Sequence, residues 1–560
     1  MNVGIFFMAI ALLIAGSAQL WPPATTIDMG GAARRLAGDT KPVWMLSKEV
    51  QIPRAFRLAA CSFQWQMRKN NREEVPPASV LSNCPLLIAA DHHPPGLSYG
   101  LSIRIDCPQL WRWDDYASIA TQPEDEAYTL DVSVAGETIA RAQHPLGIAW
   151  ALQTLLQLME RTATGDLAIS GLPVHIADTP LLPYRGLLVD AARFHLSPAF
   201  LRRLLLWMSS TKLNVLHWHL SDDEAFPIRL DSAPELALRD VEGEEHGIYT
   251  KDDLDEIVTM ARAHGIRVIP EFDVPGHAGG WTGISDLVAR CPGFACSNGW
   301  SVTLSSDAAS VETLSVVLGE LFDIFPDPFV HLGGDEVDVS CWQEALRNHV
   351  RARKEFCEFE KKLHSIVRLR GKKVIRWQEH WEQTAEPECA YVRADAYQMW
   401  RNFYPSREIS LPAAEAGKHL ISSVDWYLDA NCFEWDTCWS TDPFKYLGLR
   451  PETSASVAGG EACVWEFSEA MWNEGRQPFR AIYAIAGRLW ISPWTPTPSP
   501  AEDIRESIVR ACHNAADRGL LSPDNCKRPA PSVPLSATKS HKEDRARRKQ
   551  RLCKRFKAIH

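Results

Sequence analysis

From Pro183 onward one pattern recurs eight times: a short apolar run, then a stretch of helical periodicity. The runs are RGLLVDAAR (185–193), NVLHWHLSDD (214–223), IRVIPEFDVPGH (266–277), PFVHLGGDEV (328–337), KKVIRWQEHW (372–381), AYQMW (396–400), HLISSVDWYLD (419–429) and VAGGEACVWEF (457–467). Most gaps between them can hold a helix, so the pattern predicts a (β/α)8 TIM barrel, an α/β fold. Such barrels carry their active site at the C-terminal ends of the strands. Polar and aromatic residues should therefore crowd the end of each run. They do: Arg193, Asp222 with Asp223, Asp273 with His277, Asp335 with Glu336, Trp377 with Glu379, Trp400, Tyr427 with Asp429, and Trp465. One such end would merely begin a loop; eight together point to a site.

Carboxylates and tryptophans around one arginine suit a sugar, with its apolar faces and rim of hydroxyls. Carboxylate pairs also cut glycosidic bonds, and a standard retaining pair faces itself across the sugar at roughly 5–5.5 Å. Asp335 and Glu336 are instead neighbours on one strand end and approach from one side. That makes sense if the nucleophile belongs to the substrate. The acetamide oxygen of a 2-acetamido sugar can attack the anomeric carbon and close an oxazolinium ring. A well-oriented tethered group has an effective concentration of up to ~10^5–10^8 M. One carboxylate then holds the acetamide N–H and stabilises the positive ring, while the other protonates the leaving oxygen and deprotonates the incoming water. An ionised Asp335 would favour the protonated form of Glu336 that a general acid needs. Gly333 and Gly334 allow the backbone to turn sharply there.

The chain has 560 residues, more than one compact core usually holds. Between Val43 and Asp178 short apolar runs surround one clear helix, Pro145 to Arg161. We expect a smaller N-terminal α/β domain at 19–180 beside a catalytic barrel at 181–528. The apolar run Val3–Ala15 followed by Gly16, Ser17 and Ala18 reads as a signal peptide over 1–18. Its lack of preceding Lys or Arg leaves an uncleaved anchor as the alternative. No other stretch is long enough to span a bilayer, so stable membrane insertion after cleavage is not expected. Secretion permits disulfides among the fourteen cysteines. No Asn-x-Ser/Thr acceptor occurs, so N-glycosylation is not expected. The net charge of −11 argues against nucleic acid as a partner. Residues 539–560 hold ten Lys/Arg and two Asp/Glu, a local +8 that leaves −19 for the rest. Residues 529–560 read as a basic, solvated tail.

The pieces RGLLVDAARFHL, KLNVLHWHLSDD, PEFDVPGH, HLGGDEV with a following CW, WQE, DWYLD and GGEACVW resemble the β-N-acetylhexosaminidases of glycoside hydrolase family twenty, in the lysosomal branch. The resemblance runs from Leu20 to about Cys526 and also implies a non-catalytic N-terminal α/β domain. It implies an exo-acting, retaining, substrate-assisted enzyme that releases terminal β-GlcNAc or β-GalNAc without a cofactor or metal. By that resemblance Glu336 is acid and base, and Asp335 orients the acetamide. Arg193 grips the 3- and 4-hydroxyls. Tyr427 donates to the acetamide carbonyl, and Trp377, Trp400 and Trp465 wall in its methyl. Asp222, Asp273 and His277 look like the supporting shell, although His277 also reads as a structural histidine. It further implies disulfides between Cys61 and Cys107, between Cys341 and Cys291 or Cys296, and between Cys512 and Cys526. Asp429 is followed by Ala430, which resembles the β-type subunit that handles neutral rather than 6-sulfated sugars. The implied setting is the secretory pathway, with a lysosomal, vacuolar or extracellular destination, and the implied assembly a homodimer. One departure stands out. The family reads Trp-Gly-Glu after the eighth strand, where this chain has Trp465-Glu466-Phe467. Either Glu466 takes over the sugar contact or the contact is missing.

The sequence also admits two rival readings. His217-x-His219 on a strand, with Asp335 elsewhere, could hold a metal in a metal-dependent hydrolase. Alternatively the fold could bind a sugar without cleaving it, which the change after Trp465 would suit.

Overall fold

The computed structural model describes residues 26–526 except 37–41, 47–52, 68–73, 82, 90–100, 111–121, 238–246, 289–303, 338–341, 343–348, 385–388, 403–406, 433, 450–453, 474–477 and 492–500. Before Pro183, strands form β1 (Thr26–Leu36), β2 (Val43–Leu46), β3 (Leu87–Ala89), β4 (Ser102–Asp106), β5 (Tyr128–Val132), β6 (Glu137–Ala142), β7 (Met159–Arg161) and β8 (Leu167–Asp178). They make one open sheet in the order β1-β8-β5-β6-β4-β2-β3, with β7 also on β8. Residues of β5 alternate between buried and half-buried, as a sheet with one covered face requires. The helix Pro145–Leu158 is buried along its whole length. The expected helix to Arg161 stops three residues early, because Met159–Arg161 leaves to pair with β8.

Each of the eight later runs supplies one strand: β9 (Tyr184–Asp190), β10 (Val215–Ser221), β11 (Arg267–Phe272), β12 (Phe329–His331), β13 (Lys373–Trp377), β14 (Ala396–Met399), β15 (His419–Ser422) and β16 (Val457–Val464). They close into a barrel in sequence order, all parallel. Every residue of β9, β10, β11 and β16 is buried, as befits a parallel sheet covered by helices. Local signals set the helices. Ser197 caps Pro198–Ser210 by accepting from Phe200 N at 3.2 Å, and Thr250 forms a capping box with Asp253 at the start of Lys251–Ala263.

Inside the barrel, Tyr184, Val215, Ile269, Phe329, Ile375, Ala396, Ile421 and Ala458, one from each strand, form a largely apolar floor. Above it lies a buried polar layer, and above that the strand ends. The opposite end of the barrel meets the segment before Pro183 through charges. Arg185 Nη1 donates to Glu126 Oε1 at 3.1 Å, and Lys212 Nζ lies 2.7 Å from Asp178 Oδ2. Arg267 is bound by Asp327 at 2.7 and 2.8 Å at the same end.

The cysteines correct one expectation. Cys61 is bonded to Cys84, not to Cys107; the Cys61 and Cys84 Cα atoms are 5.9 Å apart, while the Cys107 thiol is buried against the Gln143 carbonyl. Cys512 is bonded to Cys526, and Cys357–Cys389 and Cys432–Cys438 are also bonded. Cys291, Cys296 and Cys341 lie outside the described residues, as do the apolar N-terminus and the basic tail. Among the described residues no helix is long and apolar enough to cross a membrane.

Candidate active site

The β12 run ends in two glycines because nothing larger fits. Gly333 has φ +57, and a Cβ on it would lie 2.0 Å from Asp273 Oδ1. Gly334 has φ +87 and donates its N–H to that same oxygen at 2.9 Å. The turn carries Asp335 inward and Glu336 outward: their side chains are 21% and 48% exposed. His277 Nε2 stands 3.7 Å from Asp335 Oδ2 and 3.7 Å from Glu336 Oε2. His277 Nδ1 is 3.2 Å from Asp222 Oδ1. Both His277 and Glu336 hold positive φ, +47 and +50, and two more non-glycine residues with positive φ, Asp425 and Glu466, follow strands β15 and β16. Left-handed backbone at such residues costs of order 1 kcal/mol or more each, and it persists where packing over-determines it.

The carboxylates sort by environment. Burial, then the charge of Asp335, push Asp273 well above the usual carboxylate range. Burial also raises Asp335, against the pull of His277, while a hydrogen bond from Asp273 favours its charged form. The pair therefore shares one proton that rests on Asp273. Asp335 Oδ1 is buried and has no hydrogen-bond partner among the described residues. Burial opposes the charge of Asp222, but Arg193 and His277 outweigh it and hold this carboxyl well below the usual range. Burial likewise disfavours protonated His277, yet Asp222 and Asp335 outweigh it and lift its pKa well above 6.5.

Arg193 Nη2 lies 2.7 Å from Asp222 Oδ2 and its Nε 3.2 Å from Glu224 Oε2, with its guanidinium 5.4 Å from the Trp465 ring centre. Trp377 and Trp465 have ring centres 6.1 Å apart, Tyr427 and Trp465 6.4 Å, and Trp400 stacks on Tyr427 at 5.8 Å. The four rings surround Leu188 and the Cys463 thiol. Burial, Cys463 and Asp335 keep the Tyr427 hydroxyl protonated, a donor beside a carboxylate. Asp429 is half-buried two residues further on. Glu466, at φ +58, donates its backbone N–H to Asp190 Oδ2 at 3.1 Å, and its charge acts on Arg193. Phe467 is buried against Trp472.

Two residues beneath the strand ends, Glu271 and Glu461, were not singled out in the sequence, and a third, Glu379, was placed at a strand end without a role. Glu271 binds Trp377 Nε1 at 2.8 Å through one oxygen and His219 Nδ1 at 2.6 Å through the other. Glu461 binds His217 Nδ1 at 2.8 Å and Gln398 Nε2 at 2.7 Å. Glu379, present in WQE but given no role, accepts from Trp400 Nε1 at 3.0 Å and is pushed up to about 8 by burial and then by Asp335. A charged residue inside an apolar run was the signal for the first two.

The histidines of the metal reading are committed elsewhere. His219 Nε2 faces Asp222 at 2.9 Å and His217 Nε2 faces Glu271 at 3.0 Å, so all four ring nitrogens of the pair lie against carboxylates. Burial disfavours the charge on His217, but Glu461 and Glu271 outweigh it and bring its pKa to about 9. Ligand atoms do converge within 4.8 Å in three groups: His217 with Glu271 and His331, Glu360 with His364 and His380, and Asp222 with Asp273 and His277. Each group already has a cation in it or beside it: protonated His217, Arg376 and Arg193 respectively.

A family profile described as "Glycosyl hydrolase family 20, catalytic domain" matches residues 182–493. The chain belongs to this family. It is 34% identical over 382 residues to the β-hexosaminidase subunit beta of Felis catus, covering 65% of this chain and 70% of that protein. Identity to the subunit beta of Rattus norvegicus is 30% over 482 residues, covering 80% and 86%. The fold is similar to that of the chitobiase of Flavobacterium johnsoniae, with a TM-score of 0.71 and 23% identity, covering 90% of this chain and 73% of that one. The β-N-acetylhexosaminidase of Streptomyces coelicolor A3(2) aligns with a TM-score of 0.66 at 23% identity, covering 92% and 98%.

Proposed function

We propose that this member of family 20 is an exo-acting β-N-acetylhexosaminidase that cleaves terminal β-GlcNAc and β-GalNAc with retention, using the substrate acetamide as nucleophile. The observation that carries the reading is the buried Asp335 Oδ1 with no donor among the described residues. A buried acceptor of that kind calls for a donor, and an acetamide N–H supplies one. Around it, Tyr427 offers a hydroxyl to the acetamide carbonyl, and Trp377, Trp400 and Trp465 an apolar surface for its methyl. As the oxazolinium forms, positive charge grows beside Asp335, whose ionised form the proton on Asp273 favours. Glu336, the more exposed carboxyl, delivers its proton to the leaving oxygen and then activates water, with His277 as its neighbour. Arg193 holds the ring hydroxyls, with Glu224 and Glu466 as acceptors beside it. This favours the reading in which Glu466 takes over from the family's Trp-Gly-Glu carboxylate, since Phe467 has no polar group.

Asp429 with the uncharged Ala430 would repel a 6-sulfate in a site partly shielded from water, so the proposed substrates are neutral. Residues 181–528 would be the catalytic unit and 19–180 the non-catalytic one. The four disulfides among the described residues and the similarity to hexosaminidase subunits support a route through the secretory pathway. A lysosomal, vacuolar or extracellular destination and a homodimer complete the proposal. The test is hydrolysis of a chromogenic β-N-acetylglucosaminide over pH 3–8 by the purified protein. Release of the sugar as the β-anomer is expected. Sugar binding without turnover would favour the non-catalytic alternative, and an adduct trapped on any side chain would overturn the substrate-assisted route.

A further inference from the structure

We propose that Arg376, anchored by Glu360, is a positioning residue for this reaction: its guanidinium ties together the two strand ends that present Asp273 and Asp335. Ile375 and Trp377 face the barrel interior, so the intervening Arg376 faces outward. There it is fully buried, bound to the helix His349–Leu369 through Glu360. One nitrogen, Nη2, donates to both Glu360 oxygens at 2.8 and 2.6 Å. The other, Nη1, donates to two backbone carbonyls, Val274 O and Leu332 O. Val274 directly follows Asp273, and Leu332 precedes Gly333-Gly334-Asp335.

The backbone cannot make this junction alone. The ladder between β11 and β12 has one register pair, Glu271 with His331, where β10 and β11 have six. Past it, Pro275 has no N–H to donate, and Gly333 and Gly334 turn away into positive φ. Only Val274 N to Leu332 O, at 3.3 Å, continues the pairing. The guanidinium supplies two donors where the ladder ends. It also fills the space beside the turn, since a Cβ on Gly334 would lie 2.9 Å from Nη1.

The cluster is built for a charge pair and not for a metal. His380 Nε2 lies 3.0 Å from Glu360 Oε2 and His364 Nε2 3.5 Å. Burial, partly offset by Glu360, depresses both histidines and favours their neutral forms. Arg376 and Glu360 then cancel, and a dication among these ligands would leave net charge in a buried site.

The inference rests on the hexosaminidase reading. The test replaces the pair by neutral residues of similar volume, Arg376→Met with Glu360→Gln, a change that buried ion pairs often tolerate. The matched control is Arg267→Met with Asp327→Asn, the buried pair at the opposite end of the barrel. In the first double variant kcat on a β-N-acetylglucosaminide should fall about 10- to 100-fold with KM within about threefold, as a misplacement near 1 Å produces. Affinity for a thiazoline mimic of the oxazolinium ring should fall with kcat. The control should keep wild-type kcat. If the double variant does not fold, Arg376→Lys decides: one ammonium keeps the charge on Glu360 but cannot reach both carbonyls and both carboxylate oxygens. A folded variant, of either kind, with kcat within about threefold of wild type overturns the proposal. A wild type that does not hydrolyse the substrate overturns the parent reading instead.

Discussion

The two ends of the barrel both bury charge, and they do so differently. At the N-terminal end each cation has its own carboxylate: Arg185 with Glu126, Lys212 with Asp178, Arg267 with Asp327. At the C-terminal end carboxylates outnumber cations. Asp190, Asp222, Asp223, Glu224, Asp273, Asp335, Glu336 and Glu379 share Arg193, His277 and Arg401, whose Nη2 lies 2.7 Å from Glu379 Oε1. A matched buried pair does little more than hold its partners in place, whereas a surplus of one sign moves protons. Hence Asp273 and Glu379 hold protons far above the usual carboxylate range, while Asp222, with Arg193 and His277 on it, does not. Chemistry and cohesion therefore occupy opposite ends, so that each can be broken separately.

The largest effect should come from Glu336→Gln, which removes the proton donor. Turnover of a natural disaccharide should fall by about 10²–10⁴-fold, with binding largely intact. Unchanged turnover would sink the assignment of the acid. Asp335→Asn takes away the charge beside the oxazolinium, so a thiazoline mimic should bind roughly 10- to 100-fold more weakly, the worth of a charged hydrogen bond. At the other end, Lys212→Met takes the counter-charge from buried Asp178, which keeps the neutral donors Tyr128 and Trp490. It should cost about 3–5 kcal/mol of unfolding free energy by denaturant titration, with kcat unchanged well below the melting point. A kcat loss there would erase the distinction between the ends. A smaller change is expected from Asp429→Asn with Ala430→Arg. The ratio of kcat/KM for 6-sulfated over neutral chromogenic substrates should rise about tenfold, or roughly 1.4 kcal/mol. The smallest concerns residues 539–560, which belong to neither end. Deleting them should leave kcat/KM within about threefold, under ~0.7 kcal/mol.

The barrel was legible because its two signals reinforce each other: apolar runs that become strands, and polar residues where each run stops. The strand-end residues Arg193, Asp335, Tyr427 and Trp465 converge on this account. What lies within a run was read poorly. Glu271 sits two residues before Asp273, on the same face by alternation, and Arg376 interrupts VIRW, yet in sequence each reads as part of an apolar run. A charge in mid-strand is costly, and its presence should have announced a buried partner. The open sheet was less legible still, since its order joins β1 to β8 and β4 to β6, pairings made by distant segments. The Cys61–Cys107 expectation failed for a similar reason. Proximity is decided in three dimensions, and Cys84 is the thiol that the helix Arg54–Gln66 brings near.

The eight side chains of the barrel floor have a consequence for traffic. With one from every strand, they seal the barrel axis, so nothing passes through to the far side. With the axis closed, substrate enters and products leave at the strand-end face of the barrel. A polymer cannot be threaded and advanced. We therefore expect each cut to end an encounter, the shortened chain competing afresh with every other chain end in solution. Distributive digestion is the expected outcome: early samples should contain a ladder of oligomers each trimmed by one unit, not a few chains consumed entirely beside others left whole.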